Sequence, residues 1–198
     1  MKLPKILTEK EKHEKERKRK GWMTVFIVFV LLASTAAFAL TSNNPSEKAK
    51  YKEFTFTKTE SGWQLKNSNL ITSFLPTEVE NISSPAISTE DFRKNVYFLA
   101  ITNPEQMAAN EINRAFYNVI TKAQLACSEK YENETFCKEL PIKSCENETS
   151  ASNLIVQIED SENQSMEYNN NCVIIKGNEA DLLKSVDRLI YAAYGIIK

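Results

Sequence analysis

The sequence predicts an α+β protein: an N-terminal transmembrane helix, then a small antiparallel β segment leading into a βαββα α/β ectodomain. Three observations carry this reading. Trp22 to Leu40 is a run of nineteen residues without a charge. Short alternating stretches broken by turn residues follow between Glu53 and Leu75, the pattern of half-buried antiparallel strands. From Asn95 onward, apolar β-rich runs are interleaved with two stretches whose apolar residues recur at helical spacing. The resulting division is a basic cytoplasmic tail (1–21), a transmembrane signal anchor (22–40), a stalk (41–50) and a disulfide-stapled ectodomain (51–198).

At 1.5 Å per residue the apolar run makes a helix of about 28 Å, close to the roughly 30 Å hydrocarbon core of a bilayer. Two readings of it compete. One is an uncleaved anchor; the other is a secretory signal peptide cleaved after Ala37-Phe38-Ala39, which leaves a secreted protein. The twenty-residue charged region ahead of the run is long for a signal peptide and favours the anchor. Nine of the 25 Lys/Arg and four of the 26 Asp/Glu lie in residues 1–20, and basic residues beside a span stay cytoplasmic. The C-terminal part is therefore expected outside the membrane. In the tail, Glu11/Lys15, Glu14/Lys18 and Glu16/Lys20 have the i,i+4 spacing that supports a helix.

Residues 21–198 keep sixteen basic against twenty-two acidic side chains, a net of about minus six. Such a surface argues against nucleic acid as a partner, because tracking phosphates needs clustered cations. The expected partners are the membrane and other envelope proteins.

Within this part, Phe54 and Phe56 alternate with Glu53, Thr55 and Thr57 as one strand. Ser61-Gly62 turns into Trp63-Gln64-Leu65, and Leu70 to Leu75 makes a third strand ended by Pro76. Thr77 to Asp91 reads as a connector with a short strand near Ala86-Ile87. Asn95 to Thr102 is apolar throughout, so a strand buried on both faces is expected. Asn103 then caps a helix with Pro104 at N1 and Gln106 at N3. Its stripe is Met107, Ala108, Ile112, Ala115, Phe116, Val119, Ile120 and Ala123. Leu154 to Ile158 and Cys172 to Lys176 are two more strands, the first parallel to Asn95 to Thr102. Asn178, with Asp181 at N3, caps a last helix whose inner face is Leu182, Leu183, Val186, Leu189, Ile190 and Ala193, closed by Gly195.

All four cysteines, Cys127, Cys137, Cys145 and Cys172, follow the span. An even count in an oxidising compartment reads as two disulfides, with three possible connectivities. The short first gap favours Cys127 with Cys137, and the position of Cys172 at a strand start favours its pairing with Cys145. Zinc is disfavoured by the absence of C-x-x-C and of accompanying histidine. Sequons at Asn81, Asn133, Asn147 and Asn163 mark N-glycosylation in exposed loops.

The only histidine is His13, in the tail. Ser-His-Asp, Cys-His and H-E-x-x-H constellations are thus excluded from the ectodomain. Four glycines, none in a phosphate-binding motif, exclude the usual nucleotide cradles. Glu105, Glu111, Asp181 and Asp187 remain as carboxylates for acid/base work on glycans, but each has a structural alternative as cap, helix-dipole partner or solvated face. No catalytic residue, cofactor or metal ligand is assigned.

Several stretches together carry a resemblance: Phe54-x-Phe56 with Gly62-Trp63, the run Phe74 to Ile82, Ala126-Cys127, Leu140 to Cys145, Asn171 to Gly177, Asp187 to Tyr191, and Tyr194-Gly195-Ile196. Across nearly the whole ectodomain the chain resembles uncharacterised membrane-anchored extracytoplasmic proteins of small-genome (DPANN-type) archaea. The resemblance implies an archaeal cell-surface setting and brings no activity or ligand. The expected function is that of a cell-envelope protein whose ectodomain is a structural or protein-interaction module. The alternative is a carboxylate-dependent enzyme acting on envelope glycans.

Overall fold

The computed structural model describes residues 21–23, 26–31, 47–146 and 150–198. Residues 1–20 of the tail, residues 41–46 of the stalk and much of the expected span lie outside the described residues. Gly21 and the described pieces of the span, 22–23 and 26–31, are helical and exposed. Among the described residues no helix is long and apolar enough to cross a membrane. The chain divides into two units at Pro45 and Ser46, and the fold described below is that of the second.

Ser46–Lys198 is α+β, with two sheets. The first is antiparallel in the order β1 (Lys48–Tyr51), β2 (Phe54–Thr59), β3 (Gly62–Leu65), β4 (Ile71–Thr72). β1 begins inside the expected stalk, because Lys48 to Tyr51 finds a ready edge in β2, with Ala49 opposite Phe56. The third expected strand shrinks to Ile71–Thr72: past it, Phe74 turns its amide to a side chain of the last helix, and Pro76 starts a short helix, α1 (Pro76–Val79). No strand forms at Ala86-Ile87; a 3-10 turn at Thr89–Phe92 follows instead, with Asp91 holding the Ser88 amide and hydroxyl.

The second sheet has five strands in the order β6 (Lys122–Ala126), β5 (Asn95–Leu99), β7 (Asn153–Asp160), β9 (Cys172–Gly177), β8 (Ser165–Asn169). β6, β5, β7 and β9 are parallel; β8 is antiparallel to β9. The helices are α2 (Asn103–Ala115) and α3 (Glu179–Ala193). The parallel pairing of β5 with β7 is as expected, but β6 and β8 turn the βαββα plan into βαββββα. The helix expected to run to Ala123 stops at Ala115, where Phe116 stacks on Phe92 at 3.8 Å between ring centroids. Beyond it the chain makes one more turn, with the Val119 and Ile120 amides on the Phe116 carbonyl, and from Lys122 it pairs with the open edge of β5. Met107, expected in the buried stripe, is 54 % exposed. The cap of α2 also moves by one residue: Thr102 is the N-cap and Glu105 the N3 residue whose carboxylate takes the Thr102 amide.

Alternate residues of the central strands face two different cores. Val96, Phe98, Leu154, Val156, Val173 and Ile175 pack with α2 and α3. Leu99, Ile155 and Cys172 face the other way, with Ala126, Tyr97 and Cys145. This accounts for strands apolar on both faces. α3 lies between the sheets: Leu182, Val186 and Leu189 belong to the large core, while Tyr191 meets Phe56 edge-on and hydrogen-bonds Thr72 and the Phe74 carbonyl.

Candidate functional site

The chain winds about β5 in both directions. α2 carries it from β5 to β6 on one face of the sheet. The 26 residues between β6 and β7 carry it back, and their described part lies on the opposite face. Parallel strands are usually joined by a helix; here the return connection is irregular, with two short 3-10 turns, Glu129–Tyr131 and Thr135–Cys137. Two disulfides hold it. Cys127–Cys137 closes its first loop, and Cys145–Cys172 ties its far side to the start of β9. Pro141 and Lys143 also bond the backbone of Cys127, and the Lys143 ammonium lies 4.6 Å from the centre of the Tyr97 ring. Two disulfides fit an oxidising, extracytoplasmic location.

Where successive connections of an open α/β sheet leave on opposite faces, the carboxyl ends of the strands part and leave a crevice. Such a cleft, of about 360 Å³, lies beyond β5 and β7. Leu99, Ile101, Thr102 and Glu105 form one wall, Gln157 to Asp160 a second, and Ser128, Lys130 and Tyr131 of the first cystine loop the third. Glu105 buckles two walls together: one carboxylate oxygen accepts from the amides of Ile101 (2.6 Å) and Thr102 (2.9 Å), the other from that of Asp160 (3.3 Å). Glu159 pairs with Lys176 at 2.8 Å. That hydrogen bond, outweighing partial burial, holds the Glu159 carboxyl below its ordinary value. The lining therefore offers hydroxyls, an amide, an ammonium and fixed carboxylates, which suits polar recognition, and it contains no imidazole or thiol nucleophile.

The four sequence-derived carboxylates separate into three places. Glu105 is in the cleft wall. Asp181 caps α3, taking the Asn178 side-chain amide at 2.6 Å while Asn178 takes the Ala180 and Asp181 amides. Glu111 and Asp187 come together between α2 and α3. Glu111 accepts from the Ser73 hydroxyl (3.0 Å) and from Arg114 (3.1 Å); Asp187 accepts from the amide of the next residue, Phe74 (2.7 Å), which places the two carboxyls side by side. Burial, then the neighbouring Glu111 charge, raises the Asp187 carboxyl well above its usual range. A glycosidase keeps its two carboxyls about 5 to 10 Å apart so that sugar or water fits between them. Here both carboxyls are buried, Asp187 with no exposed surface and Glu111 with 6 %, so a sugar could not reach both.

Asn81, Asn133 and Asn163 are exposed in turns or bends between elements, as an acceptor for glycan requires; Asn147 lies outside the described residues. Among the described residues no group of three or more His, Cys, Asp or Glu is placed to hold a metal ion. The cleft walls at Ser128, Lys130, Tyr131 and Gln157 were not foreseen. The available signal was the expected parallel pairing of β5 with β7 together with the long connection before β7.

Fold and cleft define a two-sheet α+β domain with a cystine-bounded crevice at the ends of its parallel strands. No protein-family model, curated protein or solved structure matches the chain.

Proposed function

We propose that the chain is a single-pass, membrane-anchored protein of an archaeal cell envelope, and that its extracytoplasmic domain is an interaction module that contacts other envelope proteins through the cleft beyond β5 and β7. The observation that carries this reading is the pair of disulfides, which fix an irregular connection as one wall of that cleft. A loop held by covalent ties presents Ser128, Lys130 and Tyr131 with little ordering cost on binding. The uncharged run Trp22 to Leu40 and the basic tail before it support the anchor and its orientation. The engagement of Glu105, Asp181, Glu111 and Asp187 in caps and internal contacts gives no support to glycan hydrolysis.

The test is a photo-crosslinking residue placed at Tyr131 in the full chain, in intact cells, with a control at Lys66 on the far sheet. The expected result is a discrete adduct with another envelope protein from Tyr131 and none from Lys66. Adducts with cytoplasmic proteins, no adduct from Tyr131, or the same adduct from Lys66 would contradict the reading.

A further inference from the structure

Glu111 on α2, Asp187 on α3 and Ser73-Phe74 at the end of the first sheet meet at one buried point. Asp187 is 0 % exposed and Glu111 6 %. One Asp187 oxygen takes the Phe74 amide, while Oδ1 is buried with no hydrogen-bond donor. With both carboxyls ionised, two like charges held by the neighbouring residues Ser73 and Phe74 would lie together in the protein interior, and an acceptor would stay unsatisfied. Either condition costs several kcal/mol in a well-packed site.

The surrounding charges relieve this only in part, because among the described contacts a cation reaches Glu111 and none reaches Asp187. From α2, Arg114 bonds the Glu111 carboxylate and the Ile71 carbonyl. From α3, Lys184 lies over the Phe74 ring at 5.8 Å, and Arg188 is directed to the carbonyls of Ile82 and Lys198. Tyr191 gives its hydroxyl hydrogen to the Phe74 carbonyl at 2.6 Å, and the charge of Glu78 on α1 is negative too. A hydrogen shared between the two carboxyls removes one charge and strengthens the contact, since a bond from a carboxylic acid to a carboxylate is short and strong.

We propose that Glu111 and Asp187 form a proton-binding site that holds a single proton between them and thereby fastens the four-stranded sheet to the two helices. The proposal is independent of the interaction reading above. Its sign is opposite to that of an ordinary salt-bridged acid. The folded state keeps a proton that the unfolded chain loses near pH 4, so the pair stabilises fully below about that pH and its contribution declines as pH rises through the raised value.

The experiment uses the full, oxidised chain in detergent micelles. Infrared difference spectra of wild type against Asp187→Asn at about pH 7 are expected to show a protonated carboxyl stretch that the variant lacks. The wild-type urea midpoint is expected to fall between about pH 5 and about pH 8 by more than that of Asp187→Asn, whose amide can donate to Glu111 at any pH. A wild-type spectrum with every carboxyl ionised, or an equal fall in both proteins, would overturn the proposal. Should Asp187→Asn not fold, the same spectra of Glu111→Gln decide: a proton held between the two carboxyls predicts that the band shifts or is lost, and a band unchanged from wild type would overturn the proposal.

Discussion

Gly62 has a backbone φ of +130°, and a Cβ built on it would lie 2.3 Å from the Thr72 carbonyl oxygen. Both the angle and the contact require glycine, because β3 and β4 pair there with Trp63 opposite Thr72. Gly62→Ala should therefore lower stability by at least about 2 kcal/mol, read as a shifted urea midpoint; an unchanged midpoint would mean that β4 does not approach as described. Elsewhere, single carboxyls act in opposite senses. Burial tends to raise the Asp91 carboxyl, but hydrogen bonds from Ser88 and Tyr168 outweigh it and hold the group below its ordinary value, while burial and the same bond push the Tyr168 phenol up to about 12. Asp91 thus stabilises above its unfolded value and loses that contribution as pH falls, the reverse of Asp187.

At the scale of elements, the unusual member is the connection between β6 and β7. A helix in that place would carry its own hydrogen bonds and bury a stripe; an irregular segment does neither, so covalent ties replace them. Cys172 is 3 % exposed and opens β9 beside Ile155. Cys172→Ser should cost about 2 to 5 kcal/mol and reduce the amount of protein at the cell surface. A variant with wild-type stability and surface level would show the second disulfide to be dispensable. The same connection explains what was readable beforehand. Both long helices, the caps of α3 and the doubly buried β5, β7 and β9 follow from periodicity and run length. β6 was hidden because Val119, Ile120 and Ala123 fit a helical stripe as well as a strand, and only pairing with β5 decides between them. β8 was legible in principle: Met166 and Tyr168 alternate with Ser165, Glu167 and Asn169, and Asn170-Asn171, both with positive φ, form the two-residue turn into β9. The cleft could not be read locally, since its walls come from three segments far apart in sequence.

At the scale of the molecule, the account is one of compartment. A basic tail, an uncharged run and an acidic domain with four cysteines follow one another along the chain, and the domain's return connection is held by both disulfides. In a reducing compartment that connection would lose its two ties, and with them the wall that Ser128, Lys130 and Tyr131 give the cleft. The most direct measurement is peptide mapping, without reduction, of protein taken from the cells that make it. The account predicts Cys127 linked to Cys137 and Cys145 linked to Cys172. Four free thiols would contradict it.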